Sequence, residues 1–339
     1  MSLPRSVADV GNHYGALQAA IVEEALALLA PELRRGKASP EAWRDSIQKI
    51  GQRLLMLQVL AATYSDAYLN DVLDAQGADP SSEARVNPPS FADLTDGGGS
   101  WLQALVFAPN SVRPVHGTDW TRFGFVANSI VKTGLRDTAR SAVQSGMQAR
   151  PAVRGYVRML RGTSCARCAI LAGRRYRSSV AFDRHKRCDC VHIPDAEDTG
   201  DDWTTNPRTY FNSLSREDQD RLFTKAGAEA VRRGADLSQV VNARKGIETV
   251  TAYGRQVQVT TEGTTIRAVF GGYEVMPDGS FRKRTESELE RRRGRQGTRR
   301  NRYAKEPRLL PDEIFQLAEQ FNWDRVETLR QLRRFGYVL

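Results

Sequence analysis

All four cysteines of this 339-residue chain lie within 26 positions: Cys165, Cys168, Cys188 and Cys190. The first two form a Cys-x2-Cys step. Sixteen residues after it comes His185-x2-Cys188-x-Cys190. A Cys-x2-Cys turn lets two sulfurs converge on one tetrahedral ion, and His-x2-Cys can supply the opposing claw. Soft thiolates and imidazole favour zinc over magnesium or calcium. The donors exceed four, because Cys165, Cys168, His185, Cys188 and Cys190 are joined by His192. In an extended segment Cys188 and Cys190 point the same way, since strand side chains repeat every two residues. The leading set is Cys165, Cys168 and Cys188, with His185 or Cys190 as the fourth ligand and His192 in support. Two disulfides, or reduced thiols without a ligand, are the plainer alternatives.

The expected metal is structural. A catalytic zinc needs an open position and a nearby general base. His-Glu-x-x-His and the deaminase signature are absent from the sequence. So are a Walker loop, Gly-x-Gly-x-x-Gly and Gly-x-Ser-x-Gly. His13 and His116 stand apart from the cysteines with no nucleophile motif beside them. No catalytic residue is assigned.

Charge is uneven along the chain. The net charge is +10, yet residues 1–150 are close to neutral and the excess lies beyond them. Much of it sits in the run from Arg282 to Arg308, with 12 basic and 4 acidic residues. Arg291, Arg292, Arg293, Arg295, Arg299, Arg300 and Arg302 are the candidate nucleic-acid contacts, because the guanidinium fork suits phosphate. Gly294 and Gly297 argue against a continuous recognition helix, so any contact is expected to ignore base sequence. A solvated linker is the alternative. The N-terminus lacks the apolar stretch of a secretory signal, and the longest uncharged apolar run, about Leu54–Tyr64, is too short to span a bilayer. These features predict a protein made and kept inside a cell, or in something assembled there, with no membrane partner.

The elements that must position the cysteines follow from periodicity. Val10, Tyr14, Leu17, Ile21, Ala25 and Leu28 predict a helix over 5–34. Ser39, Pro40 and Glu41 open a second helix, whose stripe runs to 76, with Gly77 as its stop. Proline and glycine pairs make 77–99 a long loop, and a helix is predicted over 118–148. Gly155–Arg161 alternates like a strand leading into the cysteines. Residues 216–233 predict a helix with Ser215 as its cap, 237–244 a shorter one, and 248–260 and 264–284 hairpins. The fold class is a mainly α N-terminal region plus a small α+β C-terminal module with a Cys/His metal knuckle. The boundaries are 1–150 for the helical region, 151–281 for the α+β module, 282–308 for the Arg-rich linker and 309–339 for C-terminal amphipathic helices.

The string Gly155-Tyr-Val-Arg-Met-Leu-Arg-Gly-Thr-Ser-Cys-Ala-Arg-Cys-Ala-Ile-Leu-Ala-Gly-Arg-Arg-Tyr176 resembles the phage Mu F-like (MuF) minor capsid proteins, in the form common in actinobacterial tailed phages. Phe182–Pro194 is similar to that family's His-Pro-x-Cys-x-Cys signature, with Lys186 in place of the proline. The likeness continues through Ser215–Phe223, Val240–Arg244 and Leu329–Leu339. It implies a head-morphogenesis protein enclosed in the procapsid near the portal, in a virion assembled in the host bacterial cytoplasm. Its implied partners are the portal protein, capsid or scaffold protein, and packaged double-stranded DNA held without sequence preference. Genes of this type are sometimes labelled capsid maturation proteases, which is one alternative. A zinc-containing DNA-binding protein is the other.

Overall fold

Ser39 starts a helix as its sequence context predicts. In this computed structural model its hydroxyl accepts from the Ala42 N–H at 3.1 Å, and Pro40 takes the first helical position. The structure describes residues 3–35, 39–95, 97–112, 120–161, 164–172, 174–180, 188, 190–196, 203–244, 246–252, 255–260, 273–275, 281–283, 285 and 308–338. They form two compact units, one of residues 1–164 and 171–206, the other of 207–339 with the short stretch 165–170.

The first unit is built on α1 (Arg5–Arg35), α2 (Pro40–Thr63), α3 (Ser65–Asp74), α4 (Trp101–Val106) and α5 (Trp120–Gln148). The single helix predicted over 39–76 is two, parting at Tyr64. There the buried Ser65 hydroxyl donates back to the Ala62 carbonyl at 2.7 Å, a side-chain bond that competes with helix continuation. In the core Trp43 meets Phe123 edge-on at 4.7 Å and donates to the Leu105 carbonyl at 2.7 Å. Gly134 on α5 leaves the room that Trp101 fills, since a Cβ there would lie 2.2 Å from the indole nitrogen. The loop over 77–99 is anchored by Gln58. Its amide donates to the Leu94 carbonyl and accepts from the Asp93 N–H, both at 2.8 Å.

Three strands complete this unit: β1 (Gly155–Met159), β2 (Arg175–Arg177) and β3 (Val191–Asp195), antiparallel in the order β2-β1-β3. Arg158 pairs with His192 and Tyr156 with Pro194. The unit therefore continues past the boundary that sequence places near 150. The sheet lies on the helices because Gly11 of α1 admits it: a Cβ there would come within 2.8 Å of both Met159 and Ile193. Apolar residues of α1, α3, α5, β1 and β3 share one cluster.

Between β1 and β2 lies α6 (Ala166–Leu171). The second unit contains α7 (Pro207–Ser213), α8 (Arg216–Phe223), α9 (Lys225–Arg232) and α10 (Leu237–Asn242). The helix predicted over 216–233 breaks at Thr224, whose φ of 66° no helix interior accepts. The Thr224 hydroxyl then caps α9, accepting from Gly227 N–H at 3.3 Å. The hairpin β4 (Ile247–Ala252) and β5 (Arg255–Thr260) is joined by β8 (Arg308–Leu309). The short pair β6 (Tyr273–Val275) and β7 (Phe281–Lys283) forms a separate sheet, and α11 (Pro311–Gln320) and α12 (Arg325–Arg334) close the chain. Arg308, the end of the basic run, is a core residue. It is fully buried, stacks over the Tyr337 ring at 4.6 Å and donates to Gln239 at 3.1 and 3.2 Å.

Candidate metal centre

The coil into β3 carries Cys188 and Cys190, both buried, and α6 carries the buried Cys168. The three sulfurs lie within 4.8 Å of one another. None of the four cysteines is joined in a disulfide. Zinc–sulfur bonds of about 2.3 Å set the sulfurs of a tetrahedral site roughly 3.8 Å apart, so small side-chain rotations would close this group on an ion. The donor chemistry fits a soft cation.

Cys165, a member of the leading sequence set, is outside that sulfur group. It is half-buried before the first turn of α6, and its sulfur accepts from the Cys168 N–H at 3.5 Å. His185 lies outside the described residues, as do Arg291, Arg292, Arg293, Arg295, Arg299, Arg300 and Arg302. His192 is buried on β3 with its ring 4.7 Å from that of Tyr156.

Two buried arginines, which sequence reasoning passed over, give the centre its electrostatics. Arg158 on β1 is fully buried and directs Nη1 to the Cys188 sulfur at 3.9 Å. A guanidinium beside a sulfur favours the thiolate, the form that binds metal. Arg140 on α5 donates to the Cys188 carbonyl and, through Nε at 3.3 Å, to the Cys190 carbonyl. Asp137, one turn earlier, pairs with it at 3.2 Å. Tyr68 of α3 donates to the His192 carbonyl, and its ring stacks on Tyr14 of α1 at 4.1 Å. Burial pushes both phenols well above their ordinary pKa, which keeps them neutral donors. The only sequence sign of the arginines was Arg158 itself, a cation within an otherwise apolar strand.

A family described as VG15 protein matches residues 6–215, well over half of the chain and all four cysteines. The chain belongs to the VG15 family. Membership makes it a phage-encoded protein. No curated protein and no solved structure matches this VG15 member. The VG15 match stops at the cap of α8, so the later helices and the basic run lie beyond it. Among the described residues no helix is long and apolar enough to cross a membrane.

Proposed function

We propose that this VG15 protein is a minor capsid protein of the Mu F-like kind, acting in head morphogenesis of a tailed phage. It docks on the portal inside the procapsid, touches capsid or scaffold protein, and aids assembly or DNA packaging and delivery. The observation that carries the reading is the convergence of three buried sulfurs within the stretch that resembles that family. Cys168, Cys188 and Cys190 would hold a structural zinc, with His185 as the fourth donor. When bound, the ion supplies crosslinking and no bond-making chemistry. Its binding energy in small modules, roughly 10–16 kcal/mol, matches or exceeds the net stability of a whole domain, about 5–15 kcal/mol. The ion would then decide whether the cysteine segment is ordered.

The Arg-rich run 282–308 would face packaged DNA or the negative lumen of the filling shell. If about six phosphates are neutralised, log K against log salt falls with a slope of about −5. Metal analysis of the full chain, together with recovery in portal-containing procapsids, tests the proposal. One zinc per chain and co-purification with procapsids are expected, and Cys188→Ser loses both. Absence from procapsids overturns the capsid reading, and absence of metal overturns the structural zinc.

A further inference from the structure

The last helix turns a basic face to solvent. On α12 Thr328 and Leu332 are buried, whereas Arg325, Val326, Arg330 and Arg333 are exposed. Steps of four and three residues from Val326 to Arg330 to Arg333, and of eight from Arg325 to Arg333, keep these side chains on one side of the helix. Val326, 65% exposed, is the only large apolar residue that α12 leaves exposed.

The carboxylates of this stretch are engaged. Asp324 caps the helix, its Oδ1 accepting from the Glu327 N–H at 2.7 Å. Glu327 accepts from the Gln331 amide at 2.6 Å and pairs with Arg330. The Arg330 side chain is 69% exposed, and an exposed pair of this kind is weak enough to be exchanged for a phosphate. The side chains of Arg325 and Arg333 have no hydrogen bond or ion pair among the described residues. Helix electrostatics favour one of these two cations and not the other. Arg333, in the last turn, meets the negative end of the helix dipole. Arg325 is the first residue of the helix, where a cation opposes the positive end. Helix stability therefore does not account for its presence.

We infer that the solvent face of α12 is a contact surface for the phosphate backbone of duplex DNA. Arg325 and Arg333 each direct a guanidinium fork to a phosphate, and Arg330 joins them by leaving Glu327. The eight residues from Arg325 to Arg333 span about 12 Å of helix. Over that length a duplex presents about seven phosphate charges. An acidic protein partner would call for an apolar centre to the interface, and one valine supplies little of it. Contacts to the backbone alone carry no base preference. This surface adds to the DNA contact proposed for the run 282–308 and stands without it.

The probe is a short labelled duplex of mixed sequence, titrated with the full chain by fluorescence anisotropy at several salt concentrations. Arg325→Gln with Arg333→Gln should reduce the slope of log K against log salt by about 2. Between about 50 and 200 mM salt the unaltered chain should lose about tenfold more affinity than this variant. Arg325→Lys with Arg333→Lys should keep the slope, since charge rather than packing is at issue. Arg53→Gln with Arg85→Gln, at exposed positions of the first unit, should leave it unchanged. An unreduced slope in the Arg325/Arg333 glutamine variant, or an equal reduction in the Arg53/Arg85 control, would overturn the surface. Arg291→Gln with Arg292→Gln and Arg293→Gln separates the run from the helix: α12 should retain its share of the salt dependence there, and complete loss of that dependence would also overturn it. Displacement of the duplex by polyglutamate as readily as by unlabelled duplex would overturn the DNA assignment and give the face to an acidic protein.

Discussion

One guanidinium, that of Arg140, holds both ends of the Cys188–Cys190 step: Nη2 donates to the Cys188 carbonyl and Nε to the Cys190 carbonyl. The strand entry is thereby tied to α5 by the protein's own hydrogen bonds, alongside any ion at the sulfurs. Arg140→Met removes these donors and the buried ion pair with Asp137. Breaking a buried pair of this kind costs about 3–5 kcal/mol, which urea denaturation of the apo protein should show. Zinc affinity should fall about 10- to 100-fold in a chelator competition, as it does when groups supporting metal ligands are lost.

Removal of metal should act on the cysteines unequally. Cys168→Ser, Cys188→Ser and Cys190→Ser are each expected to abolish stoichiometric zinc. Cys165→Ser should retain it, because that sulfur lies outside the group of three and already caps α6. Metal analysis of the four variants checks this. Retention by Cys188→Ser together with loss by Cys165→Ser would invert the assignment.

Gly134→Ala places a methyl carbon 2.2 Å from the Trp101 indole nitrogen, and that nitrogen donates to the Ile130 carbonyl at 3.2 Å. Neither helix nor ring can yield cheaply, so the loss should be about 1–3 kcal/mol or more. Gly124→Ala on the same helix meets nothing within 4 Å and should be neutral or slightly stabilising. A difference in melting midpoint between the two variants is the readout.

Glu229 makes the second unit acid-sensitive. The hydrogen bond from Arg233 at 2.8 Å is the foremost cause that holds its carboxyl below the ordinary value of 4.5; burial works against it, and Arg232 at 3.1 Å adds to it. A carboxylate depressed on folding contributes stability that is fully present above its unfolded pKa and lost as pH falls through the folded one. Stability should therefore decline below about pH 4.5, and Glu229→Gln should flatten that part of the curve. Because the ion pairs are partly exposed, the loss at neutral pH should stay under about 1 kcal/mol.

Local signals were readable in the sequence and distant ones were not. Ser39, Ser215 and Gly234 mark helix ends because capping chemistry involves only neighbours three or four residues away, or a left-handed glycine such as Gly234 at φ 100°. The cysteines announce one another by spacing alone. The break at Tyr64 interrupts a continuous apolar stripe and the break at Thr224 lies inside a stretch read as helix from its two ends, so neither is signalled locally. Arg140 looks like one more polar position of a long helix, because the carbonyls it meets lie about fifty residues ahead. Arg308 looks like the tail of a charged run, because the Tyr337 ring that covers it comes later in the chain.

The carbonyls of β3 are gripped from afar: His192 by Tyr68, and Pro194 by the Gln76 amide at 2.9 Å. A peptide excised around the cysteines would surrender those grips to water. The motif is therefore no portable finger that could be grafted onto another scaffold. Exchange between phage genomes would have to carry the upstream helices with it, so inheritance should preserve the whole block rather than the signature.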